Sequence, residues 1–230
     1  MNITWLGHSG FRIAIGNQTL ILDPWFFGNP LFPETQYHNA IKGATHCLIS
    51  HGHDDHAKDA IRVAEDLKIP LVGIYDLVSF VQENYNVNVI GFNKGGTVKL
   101  GNVNITMVSA SHSSSFKSTS GATYSGTEVG FMIEYMNRTI YFSGDTDIMA
   151  DMALFEELHH PEIGILSAGG HFTMSMKRAS LAASKFFNFQ TLIPCHYKTF
   201  PVLEQSAKQL KLELPNVNVI EPEVLKTIKL

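Results

Sequence analysis

Residues 51–56 read His51-Gly52-His53-Asp54-Asp55-His56, so three imidazoles and two carboxylates fall within six consecutive positions. Imidazole nitrogens and carboxylate oxygens are the ordinary ligands of zinc, iron and manganese. An apolar run leads into this cluster and a segment of helical spacing leads out, which places it at a strand-to-helix turn. A helix start on the surface uses one capping aspartate. Several ligand types crowded together suit a pair of cations instead. Three further residues end apolar runs in the same way: His112 after 103–110, Asp145 after 140–142 and His196 after 192–194. A lone histidine at a strand end is ordinarily exposed or hydrogen-bonded. Four strand ends that each deliver a ligand type read as one converging site.

Other residues are weighed against that site. His8 and His171 each lie beside glycine, at positions suited to a site wall. Each would orient substrate, stabilise an oxyanion or act as an acid, or else serve only as a structural hydrogen-bonder. Asp23 ends the run 19–22 and precedes Pro24. It reads as a group that orients a ligand histidine through its second ring nitrogen, with an Asp-Pro turn as the plainer alternative. Asp54 is expected to point outward or to cap the following helix. Gly52 spares the turn a Cβ where the backbone needs an unusual conformation. Strand alternation turns Cys195 away from the side that His196 faces, so it reads as a core thiol. His159 and His160 read as surface residues at a helix end. The pairs Phe26-Phe27 and Phe186-Phe187 read as core.

Positioning these groups requires a regular frame. Runs 3–6, 11–15 and 19–22 are apolar or alternating, with Gly16-Asn17 as a hairpin turn. Residues 46–50 read as a buried strand, 57–67 as a helix closed by Pro70, and 71–75 as another strand. Asp76 is expected to cap a helix reaching about residue 84. A β-rich stretch follows at 89–92, 97–100 and 103–110. The Ser/Thr/Gly-rich segment 113–127 reads as a long lid or binding loop. Strands at 129–135 and 139–142 form a hairpin. A helix after Asp145, a strand at 163–166, a helix at 177–187, a strand at 192–194 and a helix at 202–210 complete the chain. The pattern is two sheets with helices outside, and each half begins β-rich and finishes with helix.

Bulk properties narrow the class. Residues 1–230 fit one domain able to bury a large core. Hydrophobic residues make up 44% and charged residues 17%, and mean hydropathy is near zero, as in ordinary globular proteins. A net charge of −4 gives no reason to expect a standing nucleic-acid partner. Two cysteines, Cys47 and Cys195, make no disulfide framework and suggest a reducing compartment. The first residues lack the basic and apolar regions of a signal peptide. No apolar run approaches the ~20 residues of a membrane span. A cytoplasmic protein acting on a small molecule is expected.

The order H-x-H-x-D-H followed by single His, Asp and His at three later strand ends resembles the metallo-β-lactamase superfamily, over nearly the whole chain. The segments Trp5-Leu6-Gly7-His8-Ser9, Leu22-Asp23-Pro24-Trp25 and Gly169-Gly170-His171-Phe172-Thr173-Met174 are similar to a family of small metal-dependent hydrolases. That family lies near the ascorbate-lactone hydrolases and, more distantly, the N-acyl-phosphatidylethanolamine phospholipases. The resemblance implies an α/β, four-layer αββα sandwich of two mixed sheets with helices on both outer faces. It implies His51, His53 and His112 around one divalent metal, Asp55, His56 and His196 around a second, and Asp145 bridging. Zinc leads the metal expectation, and manganese, iron, cobalt or nickel suit the same donors. A bridging hydroxide would cleave a small ester or lactone, or a phosphodiester, with Asp55, His8 and His171 as candidate catalytic groups. A non-hydrolytic metal-binding protein and a di-iron redox unit are the competing readings. Self-association, with the loop 24–37 reaching a neighbouring site, stays open.

Overall fold

The computed structural model describes residues 1–118 and 121–230. The first sheet opens as an antiparallel meander of β1 (Asn2–Trp5), β2 (Phe11–Ile15) and β3 (Gln18–Leu22). It continues in parallel through β4 (His46–Leu48), β5 (Leu71–Ile74) and β6 (Val89–Phe92). Helices α1 (Tyr37–Ile41), α2 (Asp54–Leu67) and α3 (Tyr75–Asn84) occupy the crossovers. The second sheet repeats this plan. Its meander is β7 (Thr97–Leu100), β8 (Val103–Ser109), β11 (Val129–Tyr135) and β12 (Arg138–Phe142), with a separate hairpin of β9 (Ser115–Ser118) and β10 (Gly121–Tyr124) between β8 and β11. Parallel strands β13 (Ile163–Ser167), β14 (Thr191–Cys195) and β15 (Asn218–Val219) follow. Their crossovers hold α4 (Met152–His159), α5 (Met176–Phe186) and α6 (Lys208–Glu213). Strand β16 (Thr227–Lys229) returns to pair with β1.

The patterns that build these elements are local. In β2, Phe11, Ile13 and Ile15 are buried while Arg12 and Ala14 are half-buried, the alternation of a strand with one face on the core. Every residue of β13 and β14 is buried, as parallel strands covered on both faces require. Rings meet across the sheets, Phe11 against Phe142 at 6.2 Å and Phe92 against Phe131 at 6.4 Å between centroids. Helix α2 lays Ala57, Ala60, Ile61 and Ala64 toward β4 and β5 and ends where Lys68 turns left-handed. The architecture is the expected pair of mixed sheets with helices, and both halves share one order, a meander and then three parallel strands. No helix of the described residues is long and apolar enough to cross a membrane.

Three expectations change. Helix α6 covers 208–213, not 202–210, and residues 201–207 form turns. There the Gln205 side-chain amide donates to the carbonyls of Phe200 and Leu203, at 2.9 and 2.8 Å, taking acceptors that a helix would give to its own N–H groups. Asp76 lies inside α3 and makes no cap; the capping position is Ile74. The segment 113–127 carries the hairpin β9–β10 rather than loop throughout, and the part of that expectation at 119–120 lies outside the described residues.

The two sheets are stitched together at one end by backbone. The Val129 N–H donates to the Ser50 carbonyl at 3.0 Å, and the His196 N–H donates to the His8 carbonyl at 2.9 Å. Gly144 sits in this seam with φ of 59°, and a Cβ there would lie 2.5 Å from the Val129 oxygen and 2.8 Å from Ser50 Cβ. Gly43 has a similar φ of 71° with open space around it. Gly43→Ala should therefore cost only the left-handed penalty, about 1–2 kcal/mol. Gly144→Ala should cost at least about twice that, because the seam must also part. Urea unfolding of both variants checks this, and equal losses would show that the seam yields freely.

Candidate metal centre

Each candidate ligand leaves the end of a strand at the same edge of the sandwich. His8 follows β1, Asp23 follows β3, residues 51–56 follow β4, His112 follows β8, Asp145 follows β12 and His196 follows β14. His8, Asp23 and His196 have φ of 53°, 41° and 56°, three of the eight non-glycine residues with positive φ among those described. That conformation is costly for a residue with a Cβ, and Asp and His tolerate it better than most. Gly52 makes no such turn. A Cβ on it would meet Ser125 Oγ at 2.5 Å and the Ser115 carbonyl at 3.0 Å, so close approach, not an unusual φ, demands glycine.

The side chains form two adjoining groups. In one, His51 Nε2 lies 2.9 Å from His53 Nδ1, and a ring nitrogen of His112 is within 4.8 Å of both. In the other, Asp55, His56, His196 and His8 each bring one ligand atom within 4.8 Å of the rest. Asp145 touches both groups. Its Oδ2 is 3.0 Å from His196 Nε2, 3.4 Å from His56 Nε2 and 3.7 Å from His112 Nε2. Asp54, at the first position of α2, is exposed, belongs to neither group and lies at the cavity that opens over them.

A polar layer supports this ring. Asp23 Oδ1 accepts from the Ser50 N–H at 2.7 Å, and its Oδ2 accepts from the Ser50 hydroxyl and lies 2.8 Å from His56 Nδ1. Ser50 Oγ is also 2.9 Å from His51 Nδ1. One carboxylate thus reaches two ring nitrogens and leaves each histidine's Nε2 to face the cluster. His51 and His56, together with Asp23, form a third close trio, but the oxygens of Asp23 are already committed. His8 is fully buried, with Nε2 2.9 Å from Asp55 Oδ2 and Nδ1 2.6 Å from Thr199 Oγ1.

The electrostatics follow from burial and neighbours. Burial pushes His51, His53 and His112 below the usual imidazole range, leaving them neutral with lone pairs to offer. His8 falls to about 4, through burial and the adjacent His196. Burial raises the carboxyls of Asp145 and Asp55, yet the surrounding histidines hold both well below the usual range. His56 moves the opposite way. Burial lowers it, but Asp145, Asp55 and Asp23 outweigh burial and raise it well above the ordinary value. It must carry positive charge for three carboxylates while its buried Nε2 makes no hydrogen bond. Divalent cations would satisfy both needs, and the neutral nitrogens of His51 and His53 converge as ligands do. The residues present fit metal ions. No thiolate enters the set, since Cys195 is 1% exposed and packs in the core.

A cavity of about 640 Å³ opens over the cluster. His53, Asp55, His112, Asp145 and His196 contribute to it, and Trp25, Phe27, Phe172 and Phe200 give it aromatic walls. The sequence marks the metal-type residues but not these walls. The Phe26-Phe27 pair divides: Phe26 is core, whereas Phe27 faces the cavity. Thr199 and Ser50 carry no signal of their own, because a serine or threonine is recognised only by its partner. Of the three candidate catalytic groups, Asp55 reaches the cavity and His8 is buried behind it. His171 is not brought there. It is exposed, stacks edge-on with Phe172 at 4.5 Å and lines a separate shallow depression with Glu204 and Gln205.

Residues 2–196 match the family model described as the beta-lactamase superfamily domain. A UPF0173 metal-dependent hydrolase of Cereibacter sphaeroides (strain KD131) is 59% identical over 230 residues, covering 100% of both chains. One from Paracoccus denitrificans is 57% identical over 230 residues, again with 100% of both covered. Among solved structures, a metallo hydrolase from the archaeon Ignicoccus hospitalis superposes with a TM-score of 0.86 at 27% identity, covering 100% of this chain and 98% of the other.

Asp23 touches the cluster only through other side chains, so its removal tests positioning. Asp23→Asn should weaken metal retention by about 10–100-fold while leaving the far-ultraviolet circular dichroism unchanged. Chelator competition followed by metal analysis reads this, and undiminished retention would show that Asp23 does not orient the histidines.

Proposed function

We propose that this chain, which belongs to the β-lactamase superfamily and is a metal-dependent hydrolase of it, cleaves a small ester or lactone at a centre of two divalent cations. The observation that carries the reading is the position of Asp145, whose Oδ2 lies within 3.7 Å of nitrogens from both ligand groups. Two like charges about 3.5–4 Å apart need an anion between them, and Asp145 is the buried carboxylate in that position. His51, His53 and His112 would hold one cation, and Asp55, His56 and His196 the other. When bound, the pair would supply an acidified water and a Lewis acid for the scissile oxygen.

The chain's own groups set the rest. Asp55 is held from behind by His8, whose Nε2 lies 2.9 Å from Oδ2 while its Nδ1 lies 2.6 Å from Thr199 Oγ1. The same Oδ2 lies 3.6 Å from His56 Nε2 and 3.9 Å from His196 Nε2, so His8 steadies the carboxylate oxygen nearest those two nitrogens. Both ring nitrogens of His8 are engaged inside the protein, so the leaving group takes its proton from solvent in the cavity and not from His8. Trp25 and Phe200, with ring centroids 5.6 Å apart, wall off water on one side and favour an apolar substrate segment. The aromatic walls support an ester or lactone with an apolar segment beside the scissile bond.

Metal analysis and a substrate screen test this together. The loaded protein should hold two divalent ions per chain and turn over p-nitrophenyl esters or lactones faster than bis-p-nitrophenyl phosphate. Asp145→Ala should lose metal and about 10³-fold or more of the rate. One ion per chain at full activity would end the dinuclear reading, and full activity after chelation would end the metal-dependent one.

A further inference from the structure

Two cations on the cavity wall have no assigned work. Lys58 and Arg62 are four residues apart on α2, hence on one face of it, and both line the cavity. Neither forms an ion pair among the described residues. The guanidinium carbon of Arg62 sits 4.2 Å from the centroid of the Phe27 ring, and the exposed side chain leaves its N–H groups open to a ligand. Two acidic neighbours on α2 are occupied elsewhere. Asp59 Oδ2 accepts from the Phe26 and Phe27 N–H groups at 2.6 and 2.9 Å, and Asp66 Oδ2 accepts from the Tyr37 hydroxyl at 2.6 Å. Asp54, one turn before Lys58, stays exposed and unpaired with it.

We propose that Lys58 and Arg62 form an anion subsite, which selects substrates bearing a carboxylate or phosphate group remote from the scissile bond. Along α2, Lys58 stands about 4.5 Å and Arg62 about 10.5 Å beyond Asp55. The anionic group would therefore lie roughly 5–10 Å from the metal cluster, with the aromatic walls covering the segment between. The substrate class is an anionic ester or lactone. The inference rests on the hydrolase reading for turnover, and its binding half stands apart from it.

The metal-loaded protein is assayed with p-nitrophenyl butyrate and the p-nitrophenyl monoester of glutaric acid. Wild type should favour the glutarate ester by about tenfold in kcat/KM, the size of one charge-assisted hydrogen bond. In Arg62→Glu that ratio should fall to about one, through KM, with metal content unchanged. A ratio near one in wild type, or a variant that slows both esters equally, overturns the subsite. If neither ester is hydrolysed, the ester reading fails and binding alone decides. Trp25 emission is then titrated with glutarate and with inorganic phosphate, using Trp25→Phe to identify the signal. A saturable change that Arg62→Glu abolishes sustains the subsite, and the anion that produces it names the group. No saturable change with either anion, or one that Arg62→Glu leaves intact, overturns it.

Discussion

Three carboxylates, Asp23, Asp55 and Asp145, meet at one end of the sandwich with side chains 0%, 30% and 2% exposed. Anions withdrawn from water are tolerated only where positive charge and hydrogen bonds replace hydration. The whole edge is organised around that demand. Asp23 receives a backbone N–H, a hydroxyl and an imidazole, whereas Asp55 and Asp145 face imidazoles across gaps of 2.9 to 3.9 Å. His56 is driven to supply a charge, and one imidazolium does not balance three anions. Divalent cations would complete the balance, and the neutral histidines would add ligands without adding charge.

The topology makes this convergence economical in chain length. Each half is a meander followed by parallel strands, so the last strand of each meander ends at the same edge. In the first half that exit delivers Asp23, and in the second, after β12, it delivers Asp145. Two aspartates at equivalent exits take different parts. Asp23 folds back through a left-handed turn onto Ser50 and His56, whereas Asp145 follows Gly144, which carries the positive φ in its place. The left-handed residue therefore decides whether a carboxylate orients the histidines or lies between them.

Much of the site is legible in the sequence because strand ends are. Apolar runs broken by His or Asp are visible without a structure, and His51, His53, Asp55, His56, His112, Asp145 and His196 do converge. What the sequence hides is depth and direction. His8 and His171 share a glycine context, yet His8 is fully buried against Asp55 and His171 is exposed beyond Phe172. A single-residue context carries no information on which side of a loop faces the cavity. The helix expected at 202–210 fails for a related reason, since Gln205 takes the carbonyls a helix needs and glutamine is an ordinary helix former. Among the elements, long periodic segments such as α2 are legible, and short ones decided by one side-chain hydrogen bond are not.

The dipole of α2 gives the non-ligand position Asp54 a physical reason. The N-terminus of a helix carries partial positive charge, and here it points toward a site that would already hold cations. Such a helix start is unfavourable unless acidic groups lie in its first turn. Asp54 and Asp55 both do, one exposed and one directed into the cluster. With cations bound, Asp55 would spend part of its charge on the metal side, while Asp54 would remain to offset the helix. Farther along the same helix the sign reverses, with Lys58 and Arg62 on the cavity wall. Along one helix the cavity wall thus passes from Asp54 and Asp55 to Lys58 and Arg62, with Asp59 between them tied to the Phe26 and Phe27 N–H groups.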